Sequence, residues 1–414
     1  MLSVAEALAE IVRETHPFHP ESIGLSDAYG LTLASPIVSD IDSPPFDKSL
    51  MDGFAVRAAD VADGKAELQV IEEIMAGQVP TRTVAAGQAI QIMTGAPMPD
   101  GADAVVRVED SVYDTTTRIV RLATTAVQPG KNLITRGTNM RAGDEVLPAG
   151  RLLRPQELAC LAELGCAQVS VRRRPRVAVL ATGDELVPVA ETPAAGQIRN
   201  SNETMLLAQI RRAGGEPIPL GIARDDRDDL RAKIEIGLEA DVLLLSGGVS
   251  AGKLDLVPAA LEEAGVRQVF HKVRVKPGKP LWFGVRKSPE SQAANTDISA
   301  CYVFGLPGNP VSSMVRCELF VRTALRRLLG RGPAEPRTIH ARLVEAHRSQ
   351  SDRPTYYPAK LEFQSDSVTV RLVNWHGSSD LRATVDANGM AVIPSGEHQF
   401  EQGSTIEVIR WDAD

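Results

Sequence analysis

Two lysines bracket a Pro-Gly pair in the stretch Lys276-Pro277-Gly278-Lys279-Pro280. A turn this stiff is poor for packing and good for presenting ammonium groups to phosphate. Lys272 and Arg274 add to the cluster, in a chain whose formal net charge is -8. Glu185 and the pair Asp225-Asp226 stand on other loops. Each can bind Mg²⁺ directly or through water, or serve as a solvated turn residue. Asp255 is open to two readings as well, because it can simply cap a helix beginning at Leu256. Asn309-Pro310 fits an N-cap followed by proline, so Gly308 leaves amides open to an anion; an ordinary capped helix is the competing reading. Carboxylates and lysines on neighbouring loops point to phosphate or pyrophosphate chemistry with a divalent cation.

The elements that must position these residues are readable from hydrophobic pattern. Val242 to Leu245 is a short unbroken apolar run, as expected of a strand buried on both faces of a parallel sheet. Ser246-Gly247-Gly248 then turns the chain, and helical spacing follows at Leu256, Val257, Ala260 and Leu261, with Gly265 placed as a C-cap. RVAVLAT, EPIPLGIA, VRQVFHKVRV, LWFGV and CYVFGL read as further strands, and residues 202–213, 227–239 and 311–329 as helices. This spacing predicts a doubly wound, mainly parallel α/β domain whose strand-end loops converge on one crevice.

Flanking regions read differently. Ser3 with Glu6 forms a capping box for an N-terminal helix, and a second helix opens at Arg154-Pro155 and stops at Gly165. Residues 39–56 are too rich in Pro, Asp and Ser to be regular; Asp40, Asp42, Asp47 and Asp52 make them a solvated loop or a ligand-facing one. Residues 54–138 read as β, Arg172-Arg173-Arg174-Pro175 as a linker, and residues 338–414 as a small β domain. The expected division is a discontinuous N-terminal domain (1–45 and 140–172), an inserted β-rich domain (46–139), the α/β domain (173–330) and a C-terminal, barrel-like β domain (331–414).

A chain of 414 residues exceeds one ordinary core, and 43% hydrophobic with 24% charged residues is a globular balance. Only 4% aromatics and the acidic charge argue against a nucleic-acid surface and against membrane-surface binding. Cys160, Cys166, Cys301 and Cys317 form no C-x-x-C pair and read as free thiols. No run reaches the ~18 apolar residues of a membrane span. A soluble, cytoplasmic protein is the expectation.

PPFDKSLMDGFAV, IMTGAP, TGDEL, the RDD after a strand, SGGVSAGKLD, KPGKP and GLPGNPVS occur together and in this order. In this the chain resembles, over essentially its whole length, the MoeA family, which includes the E domain of gephyrin and comprises the molybdopterin molybdenumtransferases. The resemblance implies cleavage of adenylyl-molybdopterin with a divalent cation such as Mg²⁺, insertion of molybdate at the dithiolene, and release of AMP. It implies a homodimer of four-domain subunits sharing each active cleft, with a molybdopterin adenylyltransferase and apo-molybdoenzymes as partners. By motif, Glu185, Asp225, Asp226, Asp255, Lys276 and Lys279 would line the cleft, with Glu185, Asp226 and Asp255 as metal ligands. Ser246, Gly247, Gly248, Ser250, Pro307, Gly308, Asn309 and Pro310 would shape the pterin and phosphate site. Asp52 and Thr94 would come across the dimer, and Ser378 and Ser379 from the last domain. Two positions depart from the family pattern: Asn139 stands where an acidic residue is usual, and Lys48 where Asn is usual. They are the sequence support for an alternative, a non-catalytic relative that binds or stores the pterin or acts as a scaffold.

Overall fold

The computed structural model describes residues 1–249, 256–287 and 300–411. The chain forms two compact units: Met1–Ser35 with Ala149–Leu158 and Ala167–Asp414, and Pro36–Pro148 with Ala159–Cys166.

In the first unit a six-stranded sheet runs in the order Glu216–Ala223, Arg176–Thr182, Val242–Ser246, Ala300–Leu306, Trp282–Lys287, Arg267–His271. Its first four strands are parallel, Trp282–Lys287 runs against them and Arg267–His271, antiparallel to that strand, runs with them again, so the sheet is mainly parallel, as expected. Val242–Ser246 is buried throughout because side chains alternate between two covered faces. Val242 and Leu244 join one core with Ala7, Ile11, Leu206, Ile210 and Phe320; Leu243 and Leu245 join the other with Leu230, Ile234, Val257 and Leu261. Helices Ser201–Arg212, Arg227–Gly237 and Leu256–Glu263 supply these faces. A last helix runs Pro310–Arg316, widens to a π turn at Cys317–Val321 and continues as Arg322–Leu328.

Three expectations need correction. VRQVFHKVRV is not one strand, because it ends at His271 and the chain turns through Lys272 at φ 77°. The arginine run is not a loose linker. Arg172 ends the strand Gln168–Arg172, and Arg173 makes a two-pronged ion pair with Asp241 at 2.6 and 2.7 Å while lying 4.0 Å over the Phe18 ring. In the second unit, Gly53–Val56 is a fully buried strand within a six-stranded sheet, which agrees with the β reading from residue 54 and corrects the irregular reading of residues 39–56 at its end. Composition averaged over the loop blurred where that strand starts.

The first unit also contains a closed five-stranded barrel of Thr338–Leu343, Val368–Leu372, Thr355–Phe363, Gly389–Ile393 and Thr405–Arg410. Ala341, Leu361, Val370 and Val408 fill it. None of the four cysteines forms a disulfide among the described residues; Cys301 and Cys317 are buried and the other two half-buried. Among the described residues no helix is long and apolar enough to cross a membrane.

Helix Pro155–Glu163 opens on a charged device. The buried Glu157 carboxylate accepts from the Arg154 amide at 3.1 Å, Arg154 Nη2 at 2.7 Å and Arg151 Nε at 2.9 Å. Its bonds from Arg154, then from Arg151, outweigh burial and hold its pKa at about 2 instead of 4.5. A depressed carboxylate pKa stabilises the fold above the unfolded value and loses that contribution as pH falls through the folded one. We expect the melting temperature of Glu157→Gln to depend less steeply on pH than the wild type between about 4.5 and about 2; parallel thermal-melt profiles would rule this out.

Candidate functional site

The parallel strands end together. Thr182, Ala223, Ser246 and Leu306 close their strands, and the loops beyond enclose a cavity of about 540 Å³ at the carboxyl edge of the sheet. Glu185 and Asp225 line it from one side. Gly247, Gly248 and Val249 form its middle; Gly278, Lys279 and Pro280 face the turn Pro307-Gly308-Asn309 and Ser312.

Backbone contact sets this geometry. The Gly247 amide donates to the Leu306 carbonyl at 3.1 Å, and φ at Gly247 is +100°. A Cβ there would lie 2.6 Å from the Thr182 carbonyl oxygen, so only glycine fits between the two neighbouring strand ends. Asn202 Nδ2 fastens the same region, donating to Ser246 Oγ at 2.8 Å and to the Gly308 carbonyl at 2.6 Å.

The lysine loop is held from below and from the side. Arg316 is fully buried and donates to the carbonyls of Gly278 and, at 3.4 Å, Pro280. Its pKa falls to about 9, chiefly through burial and then through Arg353, so it remains a cation at neutral pH beneath the loop. The Lys276 amide donates to the Pro354 carbonyl at 2.9 Å and its carbonyl accepts from the Tyr356 amide at 2.8 Å. The loop is thereby an extra rung beside the barrel strand Thr355–Phe363.

The expected residues sort by position. Glu185, Asp225, Gly247, Gly248, Lys279, Pro307, Gly308 and Asn309 line one cavity. Glu185, Asp225 and Lys279 are exposed, and among the described residues neither carboxylate is engaged by another side chain. Lys276 is exposed on the same loop but outside the lining, and Ser246 is buried beneath it. Asp226 is occupied as an N-cap, its Oδ1 accepting from the amides of Asp228 and Asp229 at 3.1 and 3.0 Å. Pro310 starts the last helix, whose cap Asn309 makes no side-chain cap bond. The Val311 amide donates to the Ser378 carbonyl at 3.0 Å, which brings the loop carrying Ser378 and exposed Ser379 to the helix start. Ser250 and Asp255 lie outside the described residues.

Asp52 and Thr94 belong to the second unit and are exposed together: Asp52 Oδ1 accepts from the amide and the hydroxyl of Thr94, both at 2.7 Å. These bonds, the amide first, lower the Asp52 pKa. Asn139 is exposed there, its amide bound to the Ser43 carbonyl at 2.8 Å. Lys48 is half-buried in a two-stranded ladder with Ile134.

Sequence reasoning overlooked four residues. Thr182 Oγ1 and Ser312 Oγ line the cavity, are buried and have no hydrogen-bond partner among the described residues, so both hydroxyls are available to a ligand. Asn202 and Arg316 position the loops. A polar residue inside the apolar run VSSMVRCELFV was the available signal for Arg316. Among the described residues no group of three or more His, Cys, Asp or Glu could hold a metal ion. Two free carboxylates and unpartnered hydroxyls on one cavity are nonetheless the hard oxygen donors that suit Mg²⁺.

Comparison with known proteins covers nearly all of the chain. Residues 2–165 match the MoeA N-terminal region (domain I and II), residues 178–327 a probable molybdopterin binding domain, and residues 340–411 the MoeA C-terminal region (domain IV). The molybdopterin molybdenumtransferase of Staphylococcus aureus (strain COL) is 33% identical over 421 residues, spanning 100% of this chain and 96% of the relative. That of Staphylococcus epidermidis (strain ATCC 12228 / FDA PCI 1200) is 33% identical over 416 residues, spanning 99% and 95%. The crystal structure of the molybdopterin biosynthesis protein MoeA from Pyrococcus horikoshii OT3 superposes with a TM-score of 0.80 at 28% identity, covering 99% of this chain and 100% of that one.

The two adjacent aspartates should separate experimentally. Asp226→Ala removes a helix cap and lowers stability by about 1 kcal/mol. Asp225→Ala leaves the melting temperature unchanged and weakens ligand binding at the cavity. Thermal melts and calorimetric titration of both variants check this, and equal destabilisation by the two would contradict it.

Proposed function

The chain belongs to the MoeA family, and on that premise we propose that it is a molybdopterin molybdenumtransferase. In this reading adenylyl-molybdopterin binds at the carboxyl edge of the α/β sheet. An oxygen from water or molybdate forms the new bond to the AMP phosphorus as the anhydride P–O bond to the pterin phosphate breaks. AMP leaves, and molybdate is taken up by the dithiolene. The observation that carries the reading is one cavity lined at once by Lys279, Glu185, Asp225 and two unpartnered buried hydroxyls.

Each group has a physical role. Lys279, with Lys276 on the same loop, offsets the charge of the pyrophosphate and of the departing AMP. Gly247 and Gly248, in left-handed conformations with φ of +100° and +62°, turn the backbone around the anion, the Gly247 amide itself staying bonded to Leu306. Hydroxyls of Thr182 and Ser312 donate to phosphate or molybdate oxygens. Mg²⁺, when bound, would neutralise pyrophosphate charge, held by Glu185 and Asp255; Asp225 suits the remaining place better than Asp226, whose carboxylate is committed to its helix. The proposal extends to a cytoplasmic homodimer with Asp52 and Thr94 supplied across the interface and Ser378 and Ser379 from the last domain. A molybdopterin adenylyltransferase would deliver the substrate, and apo-molybdoenzymes would receive the product.

The test is AMP release from adenylyl-molybdopterin with Mg²⁺, with and without molybdate, coupled to activation of an apo-molybdoenzyme. Molybdate-dependent release with activation is expected. Lys279→Ala and Asp255→Ala should each lower release by about a hundredfold or more while the melting temperature holds. Near-normal release in both variants would overturn the site assignment. Tight binding without release would instead favour a pterin-holding relative, and Asn139→Asp is then the rescue to attempt.

A further inference from the structure

Val249 reaches further across the sheet than its place in the chain suggests. One row of strand partners crosses the carboxyl edge: Leu245 beside Gly305, Gly305 beside Trp282, and Trp282 beside His271. Three strand spacings, about 14 Å, separate the two ends of that row. The cavity-lining turn that leaves Ser246 lies over it. A Cβ at Gly305 would stand 2.6 Å from Val249 Cγ1, so the missing side chain there lets Val249 settle into the core that Trp282 shares.

The far end of the row holds the turn by a side chain. His271 Nε2 lies 3.2 Å from the Val249 carbonyl oxygen. A carbonyl only accepts, so the proton of this bond sits on Nε2. His271 is half-buried at the end of the strand Arg267–His271, and the chain leads from it into the lysine loop. The next two amides bear on that loop: Lys272 donates to the Leu281 carbonyl at 3.0 Å and Val273 to the Lys279 carbonyl at 3.4 Å. His271 therefore holds the glycine turn with its side chain and braces Lys279 through the adjoining backbone.

We propose that His271 is a positioning residue for the reaction, setting the spacing between the glycine turn and the lysine loop across the anion that both face. This rests on reading the cavity as the pyrophosphate site. Glutamine is the informative replacement, because its amide nitrogen can take the place of Nε2, whereas leucine fills the space without a donor. In His271→Leu, hydrogen–deuterium exchange of the peptide carrying Gly247–Val249 should quicken, and His271→Gln should restore protection. With adenylyl-molybdopterin, kcat for AMP release should fall about tenfold in His271→Leu, at a KM within about twofold, and recover in His271→Gln. Should the leucine variant melt early, His271→Asn, whose shorter amide falls short of the carbonyl, carries the same comparison. Unchanged exchange in the leucine variant would overturn the proposal. So would normal kcat beside faster exchange, which leaves His271 a purely structural tie, or equal losses in His271→Gln and His271→Leu, which clear the donor. If the wild type releases no AMP, the reading of the cavity fails instead; pyrophosphate affinity by calorimetry, weakened in His271→Leu and restored in His271→Gln, then upholds the positioning role, and equal affinity in all three chains ends it.

Discussion

Close backbone contact at Gly247 is the constraint on which the site depends. The strand Val242–Ser246 leaves the sheet between the ends of its two neighbours, its amide bonded to Leu306 and its α-carbon pressed against the Thr182 carbonyl. A side chain there would force the strands apart, and the lining groups from all three loops would separate with them. Below the loops, the two-faced core around Leu243 and Leu244 makes the platform rigid. The distances that matter to a reacting phosphate thus trace back to an apolar strand and one missing β-carbon.

Arg316 adds an electrostatic layer. A guanidinium with no carboxylate partner in the interior is costly, and the usual resolution is pairing or loss of the proton. Here Nε and Nη2 meet carbonyls of the lysine loop while Nη1 has no partner among the described residues, so its charge is felt at the base of the cavity as well as locking Gly278 and Pro280. Two surface lysines thus rest on a third cation that water does not screen.

The α/β framework was legible because an unbroken apolar run such as Val242–Leu245 admits few other readings. The barrel and the inserted sheet were legible from short Val- and Ile-rich segments between turns. The start of Gly53–Val56 was blurred, its residues falling under both a loop and a β reading, because they follow a run of aspartates and prolines that dominates any window. Asp225 and Asp226 are chemically identical in sequence; only the helix start decides which carboxylate is spent as a cap and which faces the cavity. Asn202 and Arg316 act through loops distant in sequence, and no local pattern reports such a partner. Positions whose effect is purely tertiary stay silent until the chain is folded.

The backbone rung that joins Lys276 to the strand at Thr355–Phe363 bears on how this architecture can be divided. A parallel sheet with a glycine turn at its edge has the outline of a module ending near residue 330, yet its core already takes in Tyr356, Met390, Ile409 and Trp411 from beyond that point. Its anion loop could not be cut free intact, because Pro354 and Tyr356 hold both sides of the Lys276 peptide. The barrel is therefore a splint, and genetic modularity here stops short of mechanical independence. A recombined chain that exchanged one part without the other would inherit the sheet and lose the shape of its phosphate grip.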